Sequence, residues 1–171
     1  MQNRVILGVN PGARHLGYAL FQNSELLCWG IKAANERWSS RKKKKIGHIL
    51  QNMLEEFNPD YVALKKLHPS RSSPELTEQT TKLKELCRAR DIPVYEYPIQ
   101  YLENIILTER MNKKKLNESI YELYPVLFHE IEKERLRFEK NKKRSNERIY
   151  YTRMFEAVAL AHVCFNQLDN Q

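Results

Sequence analysis

Val5-Ile6-Leu7-Gly8-Val9-Asn10-Pro11-Gly12 decides the fold: five almost continuously apolar residues are closed by Asn-Pro-Gly. A short apolar run that ends in turn residues is the pattern of a strand buried on both faces of a sheet. Outward from it, residues 16–21 form a second apolar segment, the polar turn Gln22-Asn23-Ser24 follows, and residues 25–31 form a third. Three strands with connections this tight make an antiparallel meander. The period then changes. Ile46, Ile49, Leu50, Met53, Leu54 and Phe57 recur at helical spacing, and Asn58-Pro59-Asp60 ends that helix because the residue before proline resists the helical region. Residues 61–64 read as the next strand, 75–90 as a helix with a weaker stripe, and 92–97 as a fifth strand. Helical pattern covers 99–107, 113–124 and 149–168, with a stretch dense in both signs of charge at 130–148. The order βββαβαβα predicts an α/β three-layer fold, a mixed five-stranded sheet with helices on both faces and an extra helical C-terminal insertion.

The chain has 171 residues, the size of one domain, and 42% of them are apolar, enough for a real core. Lys and Arg number 29 against 21 Asp and Glu, a formal charge of +8 that favours a polyanionic partner. Cys28, Cys87 and Cys164 are odd in number and form no CxxC, which argues against a disulfide framework or zinc knuckle and suits a reducing, cytoplasmic setting. No apolar run approaches the ~20 residues of a membrane span, and the N-terminus lacks a signal-peptide core. Neither a membrane nor a small-molecule substrate is expected.

The segments Ile6-Leu7-Gly8-Val9-Asn10-Pro11-Gly12, Gly17-Tyr18-Ala19, Pro59 to Lys65, Pro93-Val94-Tyr95-Glu96-Tyr97 and Arg153 to His162 together resemble the RuvC-type Holliday junction resolvases of the RNase H-like superfamily. The counterparts are a strand of the form ILGIDPG, a GYG-type second strand, PDYxAIE, PVxEY and a last helix DAADALAxAxxH, all in the same order. The resemblance implies a single RNase H-like domain over 1–171, with the charged insertion at about 126–148 as the part without a counterpart. Actin-like ATPases also open on a GxDxG strand turn, but need two such domains, which 171 residues do not hold.

Resolvases of this class implicitly require four acids around two divalent cations, because clustering two dications needs several carboxylates. Carried over position by position, the first acid is Asn10 here, the second Lys65 and the third Arg153; only Glu156 keeps a carboxylate. These four positions sum to +1. The resemblance therefore implies a site whose catalytic positions are non-functional for cleavage, with no metal cofactor expected. Glu96 and Glu147 are the nearby acids that could rebuild it, in which case magnesium would return as cofactor. The economical alternative is a cluster in which Lys65 and Arg153 replace the cations and pair with Glu156.

Binding apparatus remains. Arg41, Lys42, Lys43, Lys44 and Lys45 are consecutive cations entering the first helix; Lys113, Lys114 and Lys115 start another; Lys140, Lys142, Lys143, Arg144 and Arg148 precede the last. Each run alone is ordinarily a solvated face, but together they favour phosphate contacts. The loop after the Lys65 strand holds His68, in the place where resolvases carry a stacking aromatic, and Arg71. The resemblance further implies a homodimer through the helix at 75–90, although Thr80, Thr81 and Lys82 are polar for a large apolar interface. Three functions are weighed: a resolvase relative that binds branched DNA without cutting it, an active crossover junction endonuclease with a displaced acidic site, and a protein-interaction module without DNA affinity. The acid count separates the first from the second, and the charge runs separate the first from the third.

Overall fold

The computed structural model describes residues 3–107, 115–129, 132 and 147–171, with backbone alone for 115 and 147–151. Its elements are strands β1 (Val5–Asn10), β2 (His15–Gln22) and β3 (Glu25–Ala33), helix α1 (Ser40–Phe57), strand β4 (Tyr61–Lys65), helix α2 (Pro74–Arg88), strand β5 (Val94–Tyr97), and helices α3 (Ile99–Ile106), α4 (Lys115–Leu123) and α5 (Glu147–Asp169). The sheet order is β3-β2-β1-β4-β5, with β1–β2 and β2–β3 antiparallel and β1–β4 and β4–β5 parallel. This is the mixed five-stranded sheet that the element order predicts.

The strand period of two divides each strand between two cores. Leu7 and Val9 of β1, Leu16 and Leu20 of β2, and Val62 and Leu64 of β4 face α1 and α2. Ile6, Ala19, Phe21 and Ala63 face α3, α4 and α5. Ends are set by local chemistry. Ser39 caps α1, its side chain accepting the Lys42 N–H, and Asn58 closes it in the left-handed region at φ 41°. Ser73 caps α2 ahead of Pro74.

The packing of α5 on the sheet is unusually close. A Cβ added to Gly8 would lie 2.1 Å from the Ala157 carbonyl oxygen, and one on Gly17 would lie 2.1 Å from that of Arg153. Alanines at 157, 159 and 161 of α5 are fully buried in the same layer. Only small residues on both sides let the helix backbone descend this far.

Partly buried polar groups in the α5 layer pair with one another. The Tyr124 hydroxyl and His162 Nδ1 are 2.6 Å apart, and Asn166 Nδ2 is 3.0 Å from Nε2. With the amide nitrogen donating to Nε2, the ring proton sits on Nδ1 and goes to the Tyr124 oxygen. Burial lowers the His162 pKa and pushes Tyr124 up to about 12, so imidazole and phenol are both neutral. The cysteines are all free, and burial pushes Cys87 and Cys164 up to about 11. Among the described residues, no helix is long and apolar enough to cross a membrane.

The His162 environment sets a pH dependence. Its folded-state pKa lies below the ordinary 6.5, so the unfolded chain takes up the proton first as pH falls. Stability is therefore full above pH 6.5 and declines below it, until the folded-state pKa is reached. The thermal midpoint of the wild type should fall from pH 7 to 5 by more than that of His162→Gln. Parallel curves for the two proteins would show that His162 is not the titrating group.

Candidate functional site

Asn10 ends β1 and Lys65 ends β4, each following the last parallel pair, Val9 and Leu64. By strand alternation both share a face with Gly8 and Ala63, beneath the first turns of α5 that carry Arg153 and Glu156. All four side chains meet there. Glu156 Oε2 accepts from Lys65 Nζ at 2.5 Å and from Asn10 Nδ2 at 2.7 Å. The same Asn10 nitrogen donates to the Arg153 carbonyl at 3.2 Å. Arg153 Nη1 donates to the Pro11 carbonyl at 2.9 Å and reaches Asn10 Oδ1 at 3.5 Å. Asn10 is fully buried and Glu156 is 7% exposed. Glu156 is thus a nearly buried carboxylate neutralised by one ammonium and oriented by one amide.

The Pro-Gly turn above β1 is held from three helices. Arg153 of α5 takes the Pro11 carbonyl, Gln79 of α2 takes that of Gly12 at 3.4 Å, and Lys42 of α1 takes that of Ala13 at 2.6 Å. This corrects the expectation that Lys42 belongs to an exposed basic run: it is 4% exposed and its ammonium is spent on the turn. The signal was present in the sequence, since Lys42 lies four residues before Ile46 and therefore on the buried stripe. Gln79 lies likewise four before Leu83.

The other predicted residues are distributed unevenly. Lys43 pairs with Glu78 at 2.5 Å and Lys45 with Glu36 at 2.8 Å, while Arg41 and Lys44 are exposed and form no ion pair among the described residues. His68 and Arg71 are exposed in the turn after β4. Ser70 N–H donates to His68 Nδ1 at 3.2 Å, which leaves the proton of the neutral ring on Nε2. Lys113, Lys114, Lys140, Lys142, Lys143 and Arg144 lie outside the described residues, as do the side chains of Lys115, Glu147 and Arg148. Glu96 does not approach the site: it pairs with Leu64 across β4–β5, on the α1–α2 face, and binds Lys84 at 2.8 Å. On α2, Leu83 and Cys87 are buried in the chain's own core, and Thr77, Thr81, Lys82, Glu85 and Arg88 face outward.

The local field is positive. α1, α2 and α3 each follow a strand that ends at the edge holding Asn10 and Lys65, so their N-termini gather there with that of α5. Burial, and then the charges of Arg153 and Arg14, hold the His15 imidazole at this edge below its ordinary pKa.

These donors do not fit a pair of hard dications. Among the described residues, only the Glu156 carboxylate and the Asn10 amide oxygen are suitable oxygens, and Lys65 and Asn10 already take Glu156 Oε2. A dication within ~5 Å of an ammonium is repelled by roughly 6–7 kcal/mol at an effective dielectric of ~20. Among the described residues, no three His, Cys, Asp or Glu side chains gather as metal ligands.

Sheet order, crossing α5 and the four converging positions define an RNase H-like fold of the resolvase type. The crossover junction endodeoxyribonuclease RuvC of Thermomicrobium roseum is 30% identical over 129 residues, covering 67% of this chain and 76% of that protein. The RuvC of Alkaliphilus metalliredigens is 26% identical over 132 residues, covering 68% and 76%. The chain belongs to the RuvC family. Thermus thermophilus RuvC superposes with a TM-score of 0.70 at 15% identity, covering 97% of this chain and 96% of that one. The same enzyme in complex with a Holliday junction substrate gives 0.67 at 16% identity, with coverage of 97% and 96%. The yeast mitochondrial Holliday junction resolvase gives 0.56 at 15%, covering 96% and 80%. No protein-family model matches the chain.

The Lys65–Glu156 contact should appear as energetic coupling. Lys65→Met strands a nearly buried carboxylate and should cost about 1–3 kcal/mol, while Glu156→Gln on that background should recover part of it. In urea unfolding, a double-mutant cycle should give a coupling of about 1–2 kcal/mol, and additivity within ~0.5 kcal/mol would show that the pair contributes nothing.

Proposed function

We propose that this chain binds branched DNA of the Holliday junction type and does not cleave it. The observation that carries the reading is the Lys65–Glu156–Asn10 contact at the place where the family's metal-binding acids are expected: an ion pair and an amide stand in for carboxylates and cations. Chemistry gives the two halves different requirements. Phosphodiester hydrolysis by this class needs metal ions to stabilise the attacking and leaving oxygens. Phosphate contacts by Lys and Arg need none. Loss of the oxygens removes the first and leaves the second.

Family membership supports a DNA partner, and the charge of +8 supplies its electrostatics. Arg41 and Lys44 at the start of α1, and His68 and Arg71 after β4, contact the backbone, joined by the cations of 113–115 and 142–144. His68 stacks through a ring already fixed by Ser70. Two copies pair across the outward face of α2, through polar contacts, in the cytoplasm. Lys42 is excluded from the DNA surface, and its part is to hold the turn above Asn10.

A four-way junction should be bound in EDTA as well as in magnesium, and binding should weaken steeply between 50 and 200 mM salt. Arg41→Gln with Lys44→Gln should flatten that dependence. Magnesium at low millimolar concentration should neither raise the thermal midpoint nor produce nicked strands. Cleavage, or a clear rise in melting temperature with the metal, would overturn the proposal; so would failure to bind a junction at low salt.

A further inference from the structure

A groove of about 370 Å³ opens directly above the Lys65–Glu156 pair. Its walls are the Pro11 turn, the end of β4 with the turn after it, the start of α3, and Arg153 of α5. Lys65, Lys66, Arg71 and Arg153 line it, and no Asp or Glu does. Glu156 lies beneath and is already engaged by Lys65 and Asn10 through one oxygen. Four cations over one neutralised carboxylate leave a net charge near +3 facing a concave surface.

Three features make this a built site. Arg153 is held by Nη1 alone among its bonds to described residues, to the Pro11 carbonyl and Asn10, so its fork is oriented while the rest of the guanidinium is available. Such a fixed planar donor suits an oxyanion. Lys66 and Arg71 are exposed and in no ion pair among the described residues. The first turn of α3, Ile99 and Gln100, also lines the groove, and Pro98 gives it no side-chain cap. The Tyr101 and Leu102 N–H groups donate to the Pro98 carbonyl, and those of Ile99 and Gln100 have no partner among the described residues, at the positive end of the helix.

We propose that this groove is a metal-independent phosphodiester site, in which Lys65, Lys66, Arg71 and Arg153 hold one backbone phosphate of a nucleic-acid strand. The inference rests on the reading of this edge as the DNA-binding edge. It adds that the place where a metal-dependent relative needs cations around its substrate is itself cationic here. Among the described residues no Asp or Glu lines the pocket to gather metal ions that would activate water, so the diester is bound without being attacked. A free phosphate monoanion presents similar oxygens, so the test separates the two.

Lys66→Gln and Arg71→Gln change exposed side chains and should fold as the wild type does. Each should weaken junction binding about 5- to 20-fold at 50 mM salt and reduce the slope of log K against log salt by about 1. Arg4→Gln, just before β1 and at the opposite end of that strand from Asn10, should change neither. In parallel, the dinucleotide dTpdT or inorganic phosphate is titrated into the labelled full chain, with the amide signals of Ile99 and Gln100 followed by NMR. Shifts with dTpdT that disappear in Arg71→Gln support a diester site, whereas shifts with inorganic phosphate alone overturn it in favour of a free anion. Junction binding by all variants with unchanged affinity and slope, and no dTpdT shifts, would sink the groove while leaving the DNA-binding proposal standing. Shifts with dTpdT in a chain that binds no junction would do the reverse.

Discussion

The closeness of α5 to the sheet governs the rest of the molecule. With Gly8 and Gly17 beneath it and alanines on its own underside, the helix backbone sits where any larger residue would collide with a carbonyl oxygen. At that separation, side chains from the first turns of α5 reach the ends of β1 and β4 directly. Arg153 can bond Pro11, and Glu156 can meet Asn10 and Lys65, only because no spacer layer intervenes. The same approach buries Glu156, and burial is what makes its partner matter. A carboxylate at the surface needs no ammonium, but one that is 7% exposed does.

Two electrostatic solutions exist for a buried edge surrounded by helix N-termini. One gathers acids and lets dications neutralise them; the other keeps one acid and supplies the cation covalently. Lys65 is that cation here. Its ammonium donates to Glu156 Oε2 directly. The Pro11–Ala13 turn is then secured by side chains alone, through Arg153, Gln79 and Lys42. The positive charge beside Glu156 is thus carried by the chain's own side chains.

Most of the architecture was legible in the sequence, because each element carries its own period and its own stop: Asn-Pro-Gly after β1, Asn-Pro-Asp after α1, Ser-Pro before α2. The convergence of Asn10, Lys65, Arg153 and Glu156 was legible only through the family pattern, since Glu156 lies 146 residues from Asn10 and 91 from Lys65, and such separations carry no local signal of contact. The role of Lys42 was missed for a different reason. Five consecutive cations look alike by composition, and only helical phase marks Lys42 as the inward one. The contributions of Lys66 and of the α3 N-terminus to the groove were not legible at all. They depend on how the turn after β4 and the end of β5 lie beside α5, which is a tertiary arrangement.

The most direct test of the central claim, that these four positions form one metal-type site with its charge inverted, is magnesium binding by the triple variant Asn10→Asp, Lys65→Glu, Arg153→Asp. Together with Glu156, these substitutions take the cluster from +1 to −4. Calorimetric titration should then show magnesium or manganese binding by the triple variant and none by the wild type, and metal should restore a thermal midpoint lowered by four crowded carboxylates. Binding should return before cleavage, because in-line placement within ~1 Å is a further requirement. A triple variant that folds well and remains indifferent to both metals would contradict the account.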